Sequence, residues 1–478
     1  MSCPDRIDHS ENFMIFRFCL LALISWLGST SIFSSDDTVK PGEIINIACR
    51  SDNNQSYTAY LPTNYSVDQN WPVIMIFEPA ARGRLPVELF KEAAEQYGYI
   101  LAASNNSRNY DDQLISESVN ALWDDVMNRF TIDGARIYTA GMSGGARVAI
   151  LIADQSKKVA GVIACAAGFG PGCSPSSDDT FVFAGTMGNV DFNFLEFKQL
   201  EPELEHAGIP KTMLYFKGTH GWPPPAQALM AVQWLEIQAM KKGIKAKDDE
   251  WLSAHYQMRL KAIKNLPEGL EKMDRLTQLI KDFDGLVNID DEKIWLEVLS
   301  HSPVLVEDQE LETDLAELEH RLRRKFDKRI LYINSPGYDP VQGRKNIEWF
   351  KMELKKFRKQ AEKENLELRK NVYIRVEASL STYCFEMMIA AMNKKDFNKA
   401  KLLHQYVSTI SPQNPGNKYN LACILAQQGK KKKAANALKE AVELGFRNLE
   451  ILKADSDLDS IRETAGYKEV IQKLKGLR

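Results

Sequence analysis

The chain has 478 residues, of which 44% are hydrophobic and 26% charged, with a formal net charge of −3. That composition is globular and the length suits two or three domains. The small net charge sets up no field for nucleic acid, and seven cysteines without CxxC or Cys/His spacing argue against a structural metal site.

The N-terminus reads as a targeting segment. Met14 to Gly28 runs MIFRFCLLALISWLG, an Arg ahead of a short apolar stretch, followed by the small residues Ser29, Thr30 and Ser31. This is the order of a secretory signal, and the stretch is short for a bilayer span, which takes about 20 residues. Residues 1–35 are therefore expected to be a signal peptide, with Met1 or Met14 as the start, and the protein is expected to be exported to a periplasmic or extracellular space. The chain beyond it keeps Cys49, Cys165, Cys173, Cys384 and Cys423, an odd number. Cys165 and Cys173 are near enough in sequence to pair.

Residues 40–243 alternate short apolar runs with amphipathic helices. Ile44–Cys49 and Ser56–Leu61 flank an Asp-Asn-Asn turn and predict a hairpin. Pro72–Phe77 predicts a buried strand, and Pro86 opens a helix that Gly98 closes. Strand Tyr99–Ala103, helix Leu114–Phe130 and strand Arg136–Ala140 follow, the helix ending at Asp133-Gly134. Then come a helix from Ala146, strands Val159–Ala164 and Phe181–Ala184, helix Phe194–His206, strand Thr212–Phe216 and helix Pro225–Lys241. Alternation of this kind predicts a mostly parallel sheet with helices on both faces.

After Gly243 the strands stop. Residues 247–372 read as helical without a clear repeat, and 373–478 as helical repeats. Asp396-Phe-Asn-Lys-Ala400 returns 34 residues later as Lys430-Lys-Lys-Lys-Ala434, with Ala422 and Pro412 at matching offsets. Small residues at that period are where paired helices cross closely. The pattern resembles tetratricopeptide (TPR) repeats over roughly 380–448, although Phe446 stands where the second closing proline belongs.

Gly141-Met142-Ser143-Gly144-Gly145 fits G-x-S-x-G, with a predicted strand directly before it and a helix directly after. That context places a serine at a strained turn on the carboxyl edge of the sheet, with the Gly144 N–H turned toward a developing oxyanion. A serine nucleophile needs a base. Within the α/β segment the histidines are His206, near a helix end, and His220, in the loop after the last strand; His220 has the better position. The acid that orients it should follow the preceding strand, where Asp191 lies in the loop Thr186–Phe192. Glu196, Glu201, Glu203, Glu205, Asp178 and Asp179 compete, and Asp191 also suits a helix cap. The second oxyanion donor should come from the loop Glu78–Gly83. Pro79 has no N–H, which leaves Ala80 or Ala81. Arg82 either binds a substrate carboxylate or, more in keeping with the spacing, pairs with Glu78. Trp222 serves equally as an aromatic pocket wall or as core.

The segments Phe77–Gly83, Ser104–Asn109, Gly141–Ala149 and Gly218–Pro224 together resemble the esterase branch of the α/β-hydrolase superfamily, the branch of polyhydroxybutyrate depolymerases and feruloyl esterases. The resemblance covers about 200 residues. It implies a catalytic triad of Ser143, Asp191 and His220, an oxyanion hole of Gly144 with Ala80 or Ala81, hydrolysis of a small-molecule or polymeric ester, and neither metal nor organic cofactor. The family often has a histidine or glycine in the first oxyanion loop where this chain has Ala80-Ala81. A protein partner for the TPR-like repeats is a further expectation. The rival readings are a serine peptidase of the same fold and a catalytically inactive TPR scaffold.

Overall fold

The computed structural model describes residues 39–335 and 337–476. The signal-peptide expectation for residues 1–35 lies outside them. No described helix is long and apolar enough to cross a membrane. The chain divides into two compact units, the first ending at Glu310 and the second beginning at Leu311.

The first unit is built on an eight-stranded sheet in the order β1-β2-β4-β3-β5-β6-β7-β8. β1 (Ile44–Ala48) and β2 (Ser56–Tyr60) form the expected hairpin, and β2 also runs antiparallel to β4 (Ile100–Ser104). Every other pairing is parallel, through β3 (Trp71–Phe77), β5 (Ile132–Met142), β6 (Gly161–Cys165), β7 (Val182–Gly188) and β8 (Lys211–Phe216). All residues of β3, β4, β6 and β7 are buried, as a sheet covered on both faces requires.

Side-chain alternation divides the core in two. From β3, Val73, Met75 and Phe77 face one cluster, and Ile74 and Ile76 face the other. On the first face lie α2 (Asp112–Arg129), α3 (Gly144–Ser156) and α4 (Phe194–His206), through Leu122, Val126, Ala149 and Leu204. On the second lie α1 (Arg84–Tyr97) and α5 (Pro225–Lys241), through Val87, Phe90, Ala228 and Trp234. A mostly parallel sheet of this kind, with helices on both faces, is consistent with the α/β-hydrolase fold.

β5 is longer than its apolar run predicts. Asp133-Gly134 reads as a turn, yet the strand begins at Ile132. Ile132 pairs with Trp71, and the register shifts before Ile137 pairs with Val73. The Asp133 carboxylate accepts the Ala135 N–H at 3.0 Å, so the turn residues form a local irregularity inside the strand rather than ending it.

The first unit continues past the sheet. α6 (Asp249–Lys264), α7 (Leu270–Phe283) and α8 (Asp290–Ser300) enclose a cluster in which Leu252, Tyr256, Leu276, Leu279 and Phe283 pack with Ile237 and Met240 of α5. Asp282, buried, accepts hydrogen bonds at 2.7 Å from Trp234 Nε1, Gln278 Nε2 and an Arg259 guanidinium nitrogen. Residues 247–372 are thus divided between the two units.

The second unit is helical. After α9 (Pro303–Ile330) and α10 (Pro340–Lys363), α11 (Glu367–Asn393), α12 (Phe397–Ile410), α13 (Pro415–Gln427) and α14 (Lys431–Glu443) follow one another with short turns. Asp396 caps α12 through the Lys399 N–H at 3.0 Å, and α13 closes at Gly429. Ala400, Ala422 and Ala434 have no exposed surface. Phe446 stacks on Tyr419, with ring centroids 4.8 Å apart and planes 6° from parallel. Cys49, Cys165, Cys173, Cys384 and Cys423 are all unpaired.

Candidate active site

Ser143 sits at the junction of β5 and α3 with φ 54° and ψ −122°. For a residue with a Cβ this is a strained conformation. The neighbours hold it there. The Ser143 N–H donates to the Cys165 carbonyl at 2.8 Å, extending the β5–β6 ladder past the strand end, and the Ser143 carbonyl accepts the Ala146 N–H at 3.0 Å. The turn also packs tightly. A Cβ on Gly141 would lie 2.1 Å from the Gly145 carbonyl oxygen, and one on Gly145 would lie 2.0 Å from the Phe77 oxygen. Only glycine lets the elbow settle onto the end of β3. Ser143 itself is half-buried. Among the described residues its hydroxyl makes no hydrogen bond to His220.

Asp191 and His220 meet. The His220 Nδ1 lies 3.0 Å from both carboxylate oxygens of Asp191. Asp191 is fully buried, and its Oδ1 also accepts the Asn193 N–H at 2.8 Å. The loops after β7 and β8 are stitched together around this pair. The Asn189 N–H donates to the Phe216 carbonyl at 2.8 Å, the Val190 N–H to the Gly218 carbonyl at 3.0 Å, and the Gly218 N–H to Asn189 Oδ1 at 3.1 Å. Phe192 lies against the imidazole, with ring centroids 4.1 Å apart. Sequence gives Asn189 and Phe192 no role of their own. The only signal for either is its place in the loop that carries Asp191.

The competitors lie elsewhere, and of them Glu203 and Asp178 are exposed. His206 is on the exposed last turn of α4. Glu196 accepts the Gly168 N–H at 2.8 Å and pairs with Arg147 at 3.0 Å. Glu201 takes the Tyr215 hydroxyl, Glu205 pairs with Lys211 and Lys281, and Asp179 with Lys157.

A cleft of about 490 Å³ opens beside His220, lined by Arg82, Leu85, Leu89, Met142, Gly221 and Trp222 as well. Met142 immediately precedes Ser143, so the elbow and the imidazole border the same space. Trp222 is both wall and packing, since its ring also meets Phe90 edge-on at 6.1 Å. Residues 166–181, between β6 and β7, contain neither helix nor strand.

The loop after β3 is closed on itself. Glu78 is fully buried, and its carboxylate accepts the Ala80 N–H at 2.7 Å, the Arg82 N–H at 3.1 Å and Arg82 Nε at 3.1 Å. The Ala81 N–H donates to the Glu78 carbonyl at 3.0 Å. The hydrogen bond to Glu78 raises the Arg82 pKa. The pairing of Arg82 with Glu78 is therefore present, and the N–H groups of Ala80 and Ala81 both have acceptors inside the loop. The Gly144 N–H, at the start of α3, has none among the described residues. Cys165 is no rival nucleophile, because burial pushes its thiol up to about 12, where the thiolate is scarce.

No family model matches the chain, and no curated protein matches it. Solved structures similar to it include an S-formylglutathione hydrolase from Staphylococcus aureus, with 14% identity, 40% of this chain and 95% of that one covered, and a TM-score of 0.34. A ferulic acid esterase has 14% identity, coverage of 41% and 98%, and a TM-score of 0.33. Fluorophosphonate-binding serine hydrolase F of Staphylococcus aureus has 15% identity, coverage of 41% and 98%, and a TM-score of 0.33. These neighbours are esterases and serine hydrolases, and the likeness covers about 40% of the chain.

Proposed function

We propose that the first unit is a serine esterase acting through Ser143, His220 and Asp191. The observation that carries the reading is the fully buried Asp191 carboxylate at 3.0 Å from His220 Nδ1, together with a serine held at a strained strand-to-helix turn. Asp191 fixes the imidazole with its proton on Nδ1, which leaves Nε2 as the base. His220 takes the Ser143 proton as Oγ attacks the ester carbonyl. The Gly144 N–H holds the oxyanion. Collapse of the tetrahedral intermediate expels the alcohol, protonated by His220, and water then hydrolyses the acyl-enzyme. The Ser143–His220 hydrogen bond forms when substrate is bound, as such bonds tighten in the Michaelis complex.

The apolar walls of the cleft, Leu85, Leu89, Met142 and Trp222, suit an uncharged acyl or aryl group. In the same reading residues 1–35 direct export, and the TPR-like repeats of 373–478 bind a protein partner or the substrate.

The test is fluorophosphonate labelling of the purified full-length protein, with Ser143→Ala alongside and a panel of aryl and acyl esters as substrates. Labelling and turnover are expected in the wild type and lost in Ser143→Ala. A folded wild type that neither labels nor turns over esters would overturn the proposal.

A further inference from the structure

An oxyanion hole needs two or more donors, and this one has a gap. Gly144 offers its N–H. In the loop after β3, where the second donor is expected, the N–H groups of Ala80 and Ala81 are both taken. The Ala80 N–H is held by the Glu78 carboxylate at 2.7 Å and the Ala81 N–H by the Glu78 carbonyl at 3.0 Å. Freeing Ala80 would strip a hydrogen bond from a carboxylate that has no exposed surface, and buried charges give up their donors at high cost.

The adjacent segment supplies a substitute. Arg108 forms a bridge with Ala80, and the Asn109 N–H donates to the Pro79 carbonyl at 3.0 Å. These bonds fix Asn109 against the loop and bring its side chain over the elbow. A Cβ on Gly144 would lie 2.0 Å from Asn109 Oδ1, 2.8 Å from Cγ and 3.1 Å from Nδ2. The carboxamide thus rests on the residue whose N–H starts the oxyanion hole, and a side chain at position 144 would have to displace it. Among the described residues the carboxamide has no hydrogen-bond partner, and Asn109 is half-buried. A half-turn about its last torsion exchanges oxygen and nitrogen without changing the space filled. Either orientation keeps two N–H donors beside Gly144.

We propose that Asn109 is a catalytic residue whose side-chain N–H, with the Gly144 N–H, donates to the oxyanion formed at Ser143. The inference rests on the serine esterase reading. As the Ser143 Oγ–carbon bond forms, the carbonyl π pair moves to oxygen and the hydroxyl proton passes to His220 Nε2. The new negative charge lies where Gly144 and Asn109 converge.

The experiment compares wild type, Asn109→Ala and Asn109→Leu on an aryl ester, with a trifluoromethyl ketone as transition-state analogue. Removing one such donor lowers kcat by roughly 10²–10³-fold. That loss is expected in both variants, with KM changed little and the analogue's affinity falling in parallel with kcat/KM. Asn109→Leu conserves the side chain's size without adding a charge and keeps the test valid if Asn109→Ala fails to fold. Two results overturn the proposal while leaving the esterase reading intact. One is kcat within about threefold of wild type in the folded variants. The other is a loss of kcat with undiminished affinity for the analogue, which would make Asn109 a packing residue. A wild type that neither labels with fluorophosphonate nor turns over esters overturns both readings.

Discussion

Asp191→Asn isolates the charge at the base of the candidate triad. Asparagine fits the site of aspartate, so packing is conserved, but the negative charge 3.0 Å from His220 Nδ1 is gone. Asp191 has no exposed surface, so water cannot replace it. A unit charge pair about 4 Å apart is worth about 4 kcal/mol at an effective dielectric of about 20. The imidazolium exists only as the reaction proceeds, so nearly all of that loss falls on the barrier. At 1.36 kcal/mol per tenfold, kcat should fall about 10³-fold, and further if the amide N–H turns to Nδ1 and imposes the wrong tautomer. The assay is the initial rate on a nitrophenyl ester, with the rate of fluorophosphonate labelling as a single-turnover check. A folded Asp191→Asn enzyme within about tenfold of wild type, a loss of about 1.4 kcal/mol or less, would refute the assignment of Asp191 as the orienting acid.

Gly145→Ala should abolish the elbow geometry, because its Cβ would sit 2.0 Å from the Phe77 carbonyl oxygen; a lowered melting temperature and lost labelling of Ser143 are expected. Asp282→Ala leaves Trp234, Gln278 and Arg259 without their shared acceptor. Denaturant titration should show the first unit weakened by about 3 kcal/mol, the scale for breaking a buried charge pair, and a loss below about 0.5 kcal/mol, typical of neutral surface changes, would show that α6–α8 do not support the sheet. His404, in the second unit, is buried, and burial lowers its pKa below the ordinary 6.5, with the Lys418 and Lys401 charges acting in the same direction. A depressed folded-state pKa means that the unfolded chain takes the proton first. Stability is therefore full above about 6.5 and lost as pH falls below it. Melting curves from pH 7.5 to 5 should show this slope in the wild type and a shallower one in His404→Gln.

The chain order of strands and helices, the G-x-S-x-G turn and the loop positions of Asp191 and His220 were legible because each depends on local chemistry. Periodicity marks a buried strand, glycine permits a tight turn, and a polar residue after a strand end faces the carboxyl edge of a parallel sheet. The start of β5 at Ile132 was not legible, since Asp133-Gly134 has the local signature of a turn and only pairing with Trp71 overrides it. Likewise nothing local separates α6–α8 from the helices that follow; burial of Asp282 against Trp234 assigns them to the first unit. In the site, sequence named Ala80 or Ala81 as the second donor by its place in a loop. Where those N–H groups point was decided by Glu78, whose buried carboxylate takes the Ala80 N–H and whose backbone carbonyl takes that of Ala81. The approach of Asn109 to Gly144 joins segments separated by a helix and a strand. Sequence by itself determines which residues can take special backbone angles and which faces must be buried. Which polar groups then compensate one another inside the protein depends on distances that exist only once the strands have closed into a sheet.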